Sequence, residues 1–163
     1  MSEVLTVADI GHGVMAEFLA RFDLELILQP IDEAIIGSFW GDAEAGVVGH
    51  SVYVRPNTPI HSFLHESCHV ICMDGERRSR LDQDAGGNDL EEAAVCYLQI
   101  VLADHIDGVG RDRIMADMDA WGYSFRLGST RAWFENDADD AQEFLLNHNL
   151  INSLGEPTFY LRP

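Results

Sequence analysis

A chain of 163 residues, 47% hydrophobic and 23% charged, is the size of one domain and ordinary in the apolar surface it has to bury. Its charge is not ordinary: 28 acidic side chains face ten basic ones, all Arg, and the formal net charge is -18. A field of that sign repels phosphate backbones and anionic lipid, which argues against nucleic-acid and membrane partners; it would attract cationic peptides or basic protein surfaces, though the simpler reading of such acidity is that it secures solubility.

Three cysteines give no disulfide framework. Residues 1–20 carry Glu3, Asp9 and Glu17 where a secretory leader would be basic and then apolar, and no apolar run reaches membrane-spanning length. The expectation is a single cytoplasmic domain over residues 1–163.

In chain order, residues 4–21 repeat apolar side chains at Val7, Ile10, Val14 and Phe18, which predicts one helix from about Thr6, weakened by Gly11 and Gly13. Residues 24–28 alternate as a strand. Residues 34–40 predict a second strand, and residues 47–55, rich in Val and Tyr, a third. Three short strands with tight links suggest a small antiparallel sheet. Residues 74–88, charged and glycine-rich, read as a loop with the basic cluster Arg77, Arg78 and Arg80. Helices are expected over 89–106, 111–121 and 137–148, with an irregular stretch at 122–134 and an aperiodic tail over 155–163.

Between the third strand and the loop lies Ile60 to Met73, and here the chemistry concentrates. Thr58 and Pro59 suit a helix start, and no Gly or Pro interrupts residues 60–73. On that helix His65-Glu66-Ser67-Cys68-His69 is an H-E-x-x-H run, whose histidines, four residues apart, reach one metal ion from one face. Glu66, beside the first histidine, is placed to act as general base on a metal-activated water. His61, Cys68 and Cys72 share the same arc, roughly 100° wide, and are further candidate ligands. A histidine at helical spacing is by itself an ordinary core or surface residue; the uninterrupted helix and its apolar flank of Phe63, Leu64, Val70 and Ile71 single this pair out.

A catalytic zinc takes three protein ligands and keeps a fourth position open. Cys72 and Gly75 exclude a third histidine in the metzincin pattern, so a glutamate on the following helix is the remaining common solution. Glu91 and Glu92 both offer it. Glu91 heads an apolar stripe with Ala94, Val95, Leu98, Val101 and Leu102, where a carboxylate is costly unless paired or metal-bound; Glu92 shares a more polar flank with Cys96 and Gln99. The stripe favours Glu91, with Glu92 as alternate.

Together, His65-Glu66-Ser67-Cys68-His69 and Glu91-Glu92-Ala93-Ala94 resemble the signatures of the gluzincin-type zinc metallopeptidases. The resemblance spans about residues 34–106. It implies an α+β, zincin-like fold, a small sheet packed on the histidine helix and a following glutamate helix. It also implies zinc on His65, His69 and Glu91, and peptide or protein hydrolysis with Glu66 as general base. Val95 departs from the pattern, for many members place there an Asp that orients the first histidine, so that orienting group must come from elsewhere. His105, Tyr123, Arg131 and His148 are open candidates for stabilising an oxyanion. The alternative function is a non-catalytic zinc-binding interaction or sensor domain on the same scaffold.

Overall fold

The computed structural model describes residues 3–37, 44–82 and 86–163, and these form a mixed α+β structure built around two helices. Helix formation begins with α1 (Val7–Ile10) and α2 (His12–Ala20), separated at Gly11, whose φ of 101° no other residue type adopts cheaply. The single helix expected over 4–21 is thus two. Strand β1 (Glu25–Leu28) follows α2, and β2 (Gly46–Val48) and β3 (Ser51–Val54) form a hairpin inside the stretch expected as one strand. Gly49 and His50 make its turn.

The sheet order is β1-β3-β2, with β1 parallel to β3 and β2 antiparallel to it. The expected all-antiparallel sheet is therefore mixed, because β1 pairs not with β2, the next strand in the chain, but with β3, which runs in the same direction. Of the strand expected over 34–40, residues 34–37 carry no strand, and residues 38–40 lie outside the described residues.

Helix α3 (Ile60–Cys72) carries the histidines and has Pro59 at its N-cap. It packs against β2 and β3 on one side and α5 (Asp89–Ala103) on another, so it is buried nearly all round and its apolar residues are not confined to one stripe. Phe63, Leu64, Val70 and Ile71 are fully buried. Its C-terminal carbonyls are met by arginines: Arg78 donates to Val70 O at 2.9 Å and Met73 O at 2.7 Å, and Arg162 to Cys72 O at 3.1 Å. Cationic donors there satisfy groups that have no partner within the helix and complement its dipole.

The loop expected over 74–88 includes a short helix, α4 (Gly75–Ser79), started by Asp74, whose Oδ1 accepts from Arg77 N at 2.8 Å. Asn88 caps α5 by accepting from Glu91 N at 2.9 Å. Beyond it come α6 (Arg111–Trp121), α7 (Thr130–Asn136), which lies largely in the stretch expected to be irregular, and α8 (Asp139–Asn147). Helix α8 packs on α5, and α6 packs on both α5 and α3. Among the described residues no helix is long and apolar enough to cross a membrane.

Candidate metal centre

Packing α3 on α5 brings the first turn of α5 against the middle of α3, and the four-residue spacing of His65 and His69 then presents two Nε2 atoms to one place. What meets them is Glu92. Its Oε1 lies 2.9 Å from His65 Nε2 and its Oε2 2.9 Å from His69 Nε2. The ligand-capable atoms of these three residues all lie within 4.8 Å of one another.

Glu91, the ligand favoured by the apolar stripe, points elsewhere. Its buried carboxylate receives a bidentate pair of hydrogen bonds from Arg77, at 2.7 and 2.9 Å, with the Arg162 guanidinium 3.7 Å away. The physical premise was sound, since a carboxylate in that position needs a partner; the partner is a guanidinium and not a metal. Gly87 leaves the room for it: a Cβ there would lie 2.8 Å from Glu91 Oε1. Neighbouring residues on a helix point about 100° apart, so anchoring Glu91 to Arg77 turns Glu92 toward the histidines.

The group that orients His65 is Gln99, two turns beyond Glu92 on α5. Gln99 Nε2 donates to the His61 carbonyl at 3.2 Å, which only accepts, so Gln99 Oε1 faces His65 Nδ1, 2.8 Å away, and His65 Nδ1 carries a proton. That leaves Nε2 as the metal-facing nitrogen. Beside Glu92, however, Nε2 must also donate, because a carboxylate only accepts. Without metal, His65 is therefore an imidazolium. Burial works against its charge, but its contacts with Cys96 and Glu92 outweigh that and hold its pKa well above the ordinary 6.5. Burial likewise opposes ionisation of Glu92, and the two histidine N–H groups overcome it, holding the carboxyl far below its usual range. Two imidazoles and a carboxylate, one imidazole fixed in the tautomer that frees Nε2, are a donor set that suits a zinc ion replacing the two N–H protons that Glu92 accepts.

Glu66 and His65 line one cavity of about 260 Å³ together with Glu44, His61, Ser62, Trp121 and Tyr123. Burial pushes the Glu66 carboxyl up, against the pull of His65 and His69 and with help from Glu92 and Glu44. Burial also raises the Tyr123 phenol to about 12 and lowers His61 to about 4, so at neutral pH the first keeps its proton and the second is uncharged. His61 Nδ1 lies 3.2 Å from Tyr123 Oη.

The other expected ligands and helpers lie elsewhere. Cys68 and Cys72 are fully buried in the core, with burial pushing both thiols up, and neither belongs to the His65–His69–Glu92 group. His105 packs edge-on against Phe159, Arg131 pairs with Asp112 at 2.7 Å, and His148 lies on Phe144; only Tyr123 of the four oxyanion candidates reaches the cavity. Gln99, Glu44 and Trp121 were not foreseen in these roles. For Gln99 a signal existed: Glu92, Cys96 and Gln99 form a polar line along an otherwise apolar helix.

Set against protein-family models, curated proteins and solved structures, the chain matches none of them.

Proposed function

We propose that this chain is a small zinc-dependent hydrolase, a peptidase in its simplest form, with zinc held by His65, His69 and Glu92 and with Glu66 as general base. One observation carries the reading: ligand atoms of three residues on two helices converge beside a cavity that Glu66, a carboxylate outside the trio, lines together with His65. Zinc, when bound, supplies Lewis acidity, the capacity to polarise a carbonyl and to acidify water.

The chain's own residues supply the rest. Gln99 keeps His65 in the tautomer that presents a lone pair at Nε2. Glu66 is partly withdrawn from solvent, and the raised pKa of its carboxyl suits taking a proton from water and handing it to a leaving amine. Tyr123 holds its phenolic proton at neutral pH and can donate it as a hydrogen bond to an oxygen that gains negative charge.

The test is a pair of measurements on wild type and Glu66→Gln: zinc content, and turnover of a mixed peptide library. The proposal expects zinc in both proteins and hydrolysis only in wild type, because an amide cannot accept the proton. Zinc in wild type with no hydrolysis of any peptide would replace this reading with that of a non-catalytic zinc domain.

A further inference from the structure

The cavity beside His65, from which the proposed hydrolysis draws Glu66 and Tyr123, has a further acidic and aromatic side, Glu44 and Trp121, that the reaction does not use. Its volume of about 260 Å³ falls below the roughly 300–1,000 Å³ of pockets for drug-sized ligands, and suits one amino-acid side chain. Two carboxylates, Glu44 and Glu66, line it with Trp121, Tyr123 and uncharged His61; no Arg does, and the one cationic ring in the lining, His65, is already paired with Glu92 at 2.9 Å.

The chain's ten arginines all have other engagements. Arg77, Arg80, Arg111, Arg113, Arg126 and Arg131 each pair with a carboxylate away from the cavity. Arg55, Arg78 and Arg162 donate to backbone carbonyls, and Arg21 lies over the Phe159 ring. Among the described residues, then, neither Glu44 nor Glu66 has an arginine partner. Two carboxylates that face one small cavity repel one another, and each raises the cost of ionising the other. The Trp121 and Tyr123 rings line the same cavity, and aromatic rings attract a cation through their quadrupole.

We propose that this cavity is a subsite for a basic side chain, an arginine or lysine of a peptide substrate lying next to the bond to be cut. The guest's charge would answer Glu44, while its stem packs on Trp121. Ser62 contributes shape more than charge, since its Oγ already accepts from Ala45 N at 2.9 Å. This rests on the proposed peptidase reading for its substrate, but not for its binding chemistry.

The experiment therefore measures binding and cleavage separately. Zinc-loaded wild-type protein is titrated by calorimetry with N-acetyl-arginine methylamide and with the citrulline analogue, which has the same shape and no charge. The same titrations are repeated in Glu44→Gln, with zinc content and circular dichroism checked for each protein. The arginine probe is expected to bind about tenfold more tightly than citrulline, in keeping with charge-assisted bonds in a sheltered site. The preference is expected to shrink severalfold in Glu44→Gln and to weaken with added salt.

Equal binding of the two probes, or no binding of either, overturns the subsite, and so does a preference that Glu44→Gln leaves intact. Peptides cut without any preference for a basic neighbour also overturn it while leaving the peptidase reading standing. Selective, Glu44-dependent binding with no cleavage of any peptide supports the subsite and removes the peptidase reading.

Discussion

Replacing Arg77 by Ala isolates the contact that decides which glutamate faces the histidines. Glu91 keeps only 6% of its side chain exposed and receives two Arg77 hydrogen bonds of 2.7 and 2.9 Å. Stripping the partner from a buried ion pair costs about 3–5 kcal/mol when the remaining charge is left alone. Here it is not quite alone: Arg162 stays 3.7 Å away, and Arg77 is itself 30% exposed, so water enters where it leaves. The expected loss is about 2–3 kcal/mol, read as roughly 5–10 °C in Tm for a domain of this size.

The assay is denaturant and thermal unfolding with a chelator present, so that metal binding does not mask the change. The singles Arg77→Met and Glu91→Leu and their double variant form a cycle on the same contact. The double variant is expected to recover most of the loss, because an apolar pair removes the desolvation cost together with the attraction. A loss under about 0.5 kcal/mol for Arg77→Ala, within the range of ordinary surface substitutions, would refute the clamp. So would a double variant as unstable as the sum of the singles.

The site itself sets three further outcomes. Gln99→Leu is expected to lower zinc affinity by about 10- to 100-fold, measured by competition with a chromophoric chelator, since nothing then fixes the His65 tautomer. Zinc uptake is expected to release a proton from His65 at pH 6, visible as a dependence of the calorimetric heat on buffer ionisation enthalpy; no dependence would contradict the imidazolium. In the metal-free protein the His65–Glu92 pair has a defined pH window. The raised His65 pKa gives stability that is full below 6.5 and lost as pH rises through the folded value, and the depressed Glu92 pKa gives stability present above 4.5 and lost as pH falls through its folded value. The stability difference between wild type and Glu92→Gln, measured by denaturation with chelator present, is therefore expected to be greatest between pH 4.5 and 6.5.

The histidine helix was legible because its signals are local: a Pro start, an uninterrupted run and a period that puts His65 and His69 on one face. Helix α5 was legible from the Asn88 cap and its long apolar stretch. What the sequence could not resolve was set by contacts across the chain. Whether Glu91 meets a metal or a guanidinium depends on Arg77 in α4, fourteen residues earlier, in a stretch that reads as a loop. Whether β1 runs parallel to β3 depends on a connection through residues whose local pattern suggests another strand. The apolar stripe marked the face of α5 that packs, and the polar line of Glu92, Cys96 and Gln99 marked the face that meets His65.

The central claim is that Glu92, and not Glu91, completes a zinc site with His65 and His69. Elemental analysis of purified wild type, Glu92→Gln and Glu91→Gln, each folded by circular dichroism and dialysed against a weak chelator, tests it most directly. The account predicts about one zinc per chain in wild type, retention of zinc in a less stable Glu91→Gln, and loss of zinc from a well-folded Glu92→Gln. Full zinc in Glu92→Gln, with none in Glu91→Gln, would contradict it.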